Sequence, residues 1–168
     1  MKTLPWFDRK FDFGLPVNML PFFLERLEGT IIRIEHKVKG KNEKFLSEKF
    51  NDKWSVKQHI VHLAEVDQIN NRRVDEMKAG VEVLSPAVFE PKDCNLWSIE
   101  KVLDYFRTAR MENLAKYKSL SEAELAKSSI HPRLKVPMTA IDLAFFDAEH
   151  DDHHLLKISE TISDHVHA

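Results

Sequence analysis

A single cysteine, Cys94, in 168 residues rules out an intramolecular disulfide and fits a reducing compartment. It falls in a stretch that reads as loop, with no helix start or basic neighbour to lower its pKa, so it reads as incidental rather than reactive. Glycine is nearly as scarce, at four, and β-branched residues nowhere alternate with polar ones over any length. Both absences point away from sheets and toward helices, and no phosphate-cradling glycine loop is present. No apolar run is long enough to span a bilayer and no N-terminal apolar segment reads as a leader, so the expectation is a cytoplasmic protein with no membrane partner. The formal net charge is only -2 and no long basic run occurs, which argues against nucleic acid as a partner. Serine-nucleophile motifs, paired-cysteine metal sites, internal repeats and low-complexity tracts are also missing.

What remains is 43% hydrophobic and 31% charged, an ordinary balance for one globular domain spanning residues 1–168. Residues Met1 to Pro16 hold Trp6, Phe7, Phe11 and Phe13 among charges, and read as an extended arm docked on the core or, alternatively, on a second copy. Leu20, Phe23, Leu24, Leu27, Ile31, Ile34 and Val38 recur at three and four residues and predict a helix from about Val17 to Val38. A short turn is expected at Phe45 and Leu46. Ser55 with Gln58 has capping-box spacing and predicts a second helix to about Ala79, and Ser98 predicts a third to about Ser119. Ser121 with Glu124 opens a short extra helical turn, and Ser128 to Met138 reads as loop. Thr139 with Asp142 starts the fourth long helix. Four amphipathic segments describe an all-α four-helix bundle, with connections long enough that simple up-down order is not required.

Nine histidines are present, three of them within Glu149-His150-Asp151-Asp152-His153-His154. His150 and His154 are four apart and project from one helical face, as two imidazoles must to share one metal ion. Chance supplies such pairs in a histidine-rich chain, so the third ligand matters. On the second helix, with His62 at zero and about 100° per residue, Val66 falls at about 40° and Ile69 at about -20°. His62 therefore lies inside the apolar arc, and His59 does too, one turn earlier. His62, His150 and His154 form a candidate three-histidine site. Neutral imidazoles suit Zn, Ni, Cu or Fe, and three protein ligands leave a position open for water or substrate. Asp147, one turn before His150, is a candidate to orient a ring or transfer a proton. His153 points about 100° away from His154 and reads as peripheral. Glu65, Glu149, Asp151 and Asp152 read as a solvated face, and His131, His165 and His167 are assigned no role. A thiol substrate would call for basic anchors at a pocket mouth, for which Arg72, Arg73 or Arg107 could serve, though each reads first as an ordinary surface charge.

The run Trp54 to Leu63, the continuation at Arg72-Arg73 and the closing Ala148 to Leu155 resemble the DinB/YfiT-like superfamily, and Leu15-Pro16 with Leu24 to Leu27 resembles one of its subgroups. The resemblance spans nearly the whole chain. It implies a four-helix bundle, often a homodimer, whose three-histidine metal centre falls here on His62, His150 and His154. It also implies a divalent metal (Zn, Ni or Fe) activating water or a low-molecular-weight thiol against a small electrophilic substrate, as a hydrolase or S-transferase. His59 and His153 add imidazoles beyond that pattern. The alternative is a non-catalytic binding or dimerisation bundle with a structural or adventitious metal.

Overall fold

A computed structural model of the chain describes residues 3–166. The arm leads into α1 (Leu20–Val38), entered through a 3-10 turn at Val17–Met19. Pro21 sits in its first turn, where its missing N–H costs no helical bond. A five-residue α2 (Glu43–Ser47) stands where the short turn was expected. α3 (Val56–Lys78) opens on the Ser55–Gln58 capping box, with both halves formed. α4 (Ile99–Lys118) is capped by the Ser98 hydroxyl, which accepts from the Lys101 amide. α5 (Glu122–Leu125) has the Ser121–Glu124 box. The head of α6 (Ala140–Val166) is closed reciprocally: the Thr139 amide donates to Asp142 and the Asp142 amide donates to Thr139.

α1 packs against α6 and α4, and α3 packs against α4 and α6. The consecutive long helices α1 and α3 therefore lie across one diagonal of the bundle, and α4 and α6 across the other. The segments 39–55 and 119–139 span those diagonals, which explains why the connections are long. The bundle is not a simple up-down one.

Two apolar clusters fill the bundle. One gathers Leu27, Val74, Leu114 and the first half of α6, and the other gathers Ile34, Ile60, Phe106, Leu155 and Ile158. Between them lies a buried polar layer to which every long helix contributes, with Thr30, Asp67, Arg110 and Asp151 at its centre. Arg110 Nε donates to Asp67 at 2.9 Å, and its two terminal nitrogens donate to Asp151 at 2.6 and 2.9 Å. Arg110 also donates to the Leu27 carbonyl at 2.7 Å. Asp151, expected on a solvated face, is instead internal, because its partner guanidinium and the Thr30 hydroxyl meet it there.

The segment read as loop after α5 contains a hairpin. β1 (Ser128–Ile130) pairs antiparallel with β2 (Pro137–Thr139), with Ser129 opposite Met138. Three-residue strands are too short to show a period-two signal. Ile130 also bridges Val83, tying the hairpin to the α3–α4 connection. Cys94 is buried in a 3-10 turn, and burial pushes its thiol pKa up, which disfavours the thiolate. No described helix is long and apolar enough to cross a membrane.

Candidate metal centre

Local structure brings the histidines together from two helices. The Ser55 box fixes where α3 begins, and its hydroxyl also donates to Asn95 at 2.6 Å, anchoring that start. One and two turns on, His59 and His62 face α6. Trp54, just outside the cap, stacks on the His154 ring (6.0 Å, 15°) and meets the His62 ring edge-on at 5.0 Å. α6 supplies His150 and His154, whose ring centroids are 4.4 Å apart. The His62 ring is 5.2 Å from His150 and 4.8 Å from His154. One nitrogen from each of the three lies within 4.8 Å of the others.

His150 and His154 already stand at the spacing of two ligands on one divalent transition metal, and His62 lies beside them. Nε2 of His150 and Nε2 of His154 are 3.1 Å apart. Two nitrogens bound at about 2.0–2.1 Å to one ion stand about 3.0–3.4 Å apart. The rings are also neutral, as coordination requires. Burial first, and then neighbouring charge, lowers His62 to about 4 and puts His150 and His154 well below the ordinary histidine value. On its other side His154 Nδ1 lies 2.8 Å from His59 Nδ1. His59 is buried and is likewise lowered to about 4, mainly by desolvation. His153 is half-buried, its ring 5.1 Å from His154 and 5.6 Å from Trp6.

The three rings open on a cavity of about 570 Å³, within the range that holds small molecules. Trp6 and Phe7 of the arm, Trp54, Phe89 and Phe146 give it apolar walls. Trp6 closes directly on the centre, with its ring 5.0 Å from His150. The arm thus docks on its own core.

Asp147 lines the same cavity but orients no ring. It bonds Asn70, and its Oδ2 has no partner; neither has Nδ1 of His150. Desolvation, then the charges of Asp67 and Asp151, raise the Asp147 carboxyl well above the usual range. Among the three arginines singled out from the sequence, Arg73 lines the cavity. Arg72 faces Glu76 and the Pro86 carbonyl, and Arg107 is held by Glu35 and Asp104 elsewhere on the bundle. Glu65 pairs with Lys92, Glu149 with Arg9 and Arg26, and Asp152 with Arg26 and Arg33. His131, which no spacing pointed to, is buried at the cavity wall with Arg133 beside it. Its Nδ1 accepts from the Arg133 and Leu134 amides, so its proton sits on Nε2.

The family model of the DinB superfamily matches residues 26–158, a span that includes all three histidines. YfiT from Bacillus subtilis, a probable metal-dependent hydrolase with an unusual four-helix bundle topology, superposes with a TM-score of 0.77 at 18% identity over 91% of each chain. A mycothiol-dependent maleylpyruvate isomerase superposes with a TM-score of 0.67 at 11% identity. That match covers 86% of this chain and 61% of the isomerase. At these identities both likenesses concern the fold. No curated protein matches the sequence.

Proposed function

Because the chain belongs to the DinB superfamily, we propose that its histidine cluster is the metal centre of an enzyme acting on small molecules. His62, His150 and His154 would hold a divalent ion (Zn, Ni or Fe), and the cavity beside them would hold the substrate. The observation that carries this reading is the convergence of three neutral imidazoles on one cavity wall. A structural zinc site is normally closed by four protein ligands, whereas three ligands facing a cavity leave room for chemistry. That chemistry is Lewis acidity, which turns a water or a thiol into a nucleophile at neutral pH.

The chain's own residues divide the remaining work. Trp54 packs against His62 and His154 and limits their rotation. Trp6 and Phe146 exclude solvent from the His150 side. Asp147, buried with a free oxygen, is placed to hold or pass a proton to a molecule in the cavity. The reaction class is a hydrolysis or the transfer of a low-molecular-weight thiol, which share this centre and differ in the nucleophile.

Elemental analysis of protein purified without a histidine tag tests the centre. About one divalent metal per chain is expected, lost in His62→Ala and in His154→Ala. Metal-free protein whose stability those substitutions leave unchanged would sink the proposal. Metal-loaded protein is then to be profiled against esters, amides and thiol-conjugation substrates.

A further inference from the structure

Three cations of the described chain are buried: Lys57, Arg73 and Arg110. Lys57 meets Glu43 and the Trp97 carbonyl, and Arg110 meets Asp67 and Asp151. Arg73, 7% exposed, forms no ion pair among the described residues. Its bonds are two long ones to neutral oxygens, at 3.3 Å to the Ser85 carbonyl and 3.4 Å to Asn70 Oδ1. A guanidinium that meets an anion does so at about 2.7–2.9 Å, and buried charge is ordinarily paired. The nearby acids are engaged otherwise. Glu76 accepts from the Ser85 amide and hydroxyl, and Asp147 bonds Asn70.

The unpaired guanidinium lies at the cavity. Along α3 the residues His62, Val66, Ile69, Asn70 and Arg73 line one wall, a stripe at helical spacing. Eleven residues of helix set the backbone of Arg73 about 16 Å along the axis from that of His62. His131, whose ring proton is fixed on Nε2, lines the same cavity, and Arg133 adds an exposed charge without an ion pair among the described residues. Arg73 and His131 thus offer donors to the cavity that the three candidate ligands also line, with aromatic rings around it.

We propose that Arg73 holds a carboxylate of the substrate, so that the cavity selects small molecules with an apolar body and an anionic tail directed away from the histidines. The guanidinium is the main anchor, with His131 as a second donor. Burial works against the Arg73 charge, and Asp147 and Glu76 pull the other way without contacting it. The inference rests on this cavity being the substrate site of the proposed enzyme, but it is tested without metal.

The probe pair is 4-phenylbutyrate and its neutral amide. Binding to chelator-treated protein is followed through the indole N–H resonances of Trp6 and Trp54, which line the cavity. The carboxylate is expected to bind at least about tenfold more tightly than the amide. Arg73→Met is expected to bring that ratio near one, and Arg73→Lys, which keeps charge but loses the fork, to lower it by about threefold or more. Arg133→Met is expected to keep most of the preference. A wild-type protein that binds both probes alike, or neither at about 10 mM, overturns the proposal. So does a ratio that survives Arg73→Met or, if that variant does not fold, Arg73→Lys. Protein that carries no metal as purified, and whose stability His62→Ala and His154→Ala leave unchanged, would sink the metal centre, and the preference, if still present, would leave the anion site standing.

Discussion

The two ring nitrogens of His154 face different partners: Nε2 approaches His150 and Nδ1 approaches His59. If Nε2 is to bind metal it must be bare, so the proton sits on Nδ1 and is donated to His59 Nδ1. His59 then carries its own proton on Nε2. A partner on the far nitrogen of a ligand histidine fixes tautomer and ring orientation, and its loss typically weakens metal binding by about 10–100-fold. His59→Ala is therefore expected to lower metal affinity by about that factor while His62 and His150 remain in place, and nitrogen-15 spectra of the metal-free variant are expected to show His154 as a mixture of tautomers. Unchanged affinity would leave His59 as packing alone. At this scale the sequence was partly readable. The wheel put both His59 and His62 on the inward arc, but ring-to-ring hydrogen bonding is set by rotamers that spacing does not report. His131 could not be found, because it reaches the cavity only through the hairpin turn. Asp151 read as solvated because its counter-charge, Arg110, lies 41 residues away on another helix.

Among the elements, the N-terminal arm connects packing to function most directly. The Gly14 and Leu15 amides both donate to Asp142 Oδ1, whose other oxygen closes the α6 cap. Gly14 has φ +85, a conformation L side chains rarely adopt, so the chain turns onto α6 there. Upstream, Arg9 pairs with Glu149 and lies over the Trp6 and Phe11 rings at 5.3 and 4.8 Å. These contacts hold Trp6 over His150. Trp6→Ala is expected to cost about 1–3 kcal/mol in urea unfolding, less than a fully buried tryptophan, since Trp6 is only partly buried. It is also expected to speed loss of metal to a chelator several-fold, because water then reaches the centre from the arm side. An unchanged release rate would mean that the arm packs without guarding the site. Helix starts were legible because caps are local, with the Ser55, Ser98, Ser121 and Thr139 signals all within four residues. The hairpin and the diagonal placement of α1 and α3 were not, since both are decided by contacts between distant segments.

The whole bundle turns on a polar layer that divides its core in two. Arg110 on α4 reaches the Leu27 carbonyl of α1, Asp67 of α3 and Asp151 of α6, so one guanidinium ties its own helix to the other three long ones. Burial works against its charge, but Asp151 and Asp67 more than offset this, and its pKa is raised. The layer lies at the level of the cavity. Asp151 follows His150 directly, and Asp67 falls between His62 and Asn70 on α3. Fixing Asp151 inward fixes the rotation of α6, and with it the direction in which His150 and His154 point. A uniformly apolar core would hold the helices together but would specify that rotation less sharply. Arg110→Met leaves two buried carboxylates without their cation, so about 3–5 kcal/mol of stability should be lost in urea unfolding. Adding Asp67→Asn and Asp151→Asn to it should recover most of that loss, because the cost lies in stranded charge rather than in the pair itself. If Arg110→Met alone costs under about 1 kcal/mol, the layer does not act as the tie described. Recovery of stability in the triple variant with weakened metal binding would place the contribution of the layer in aiming α6 at the metal centre.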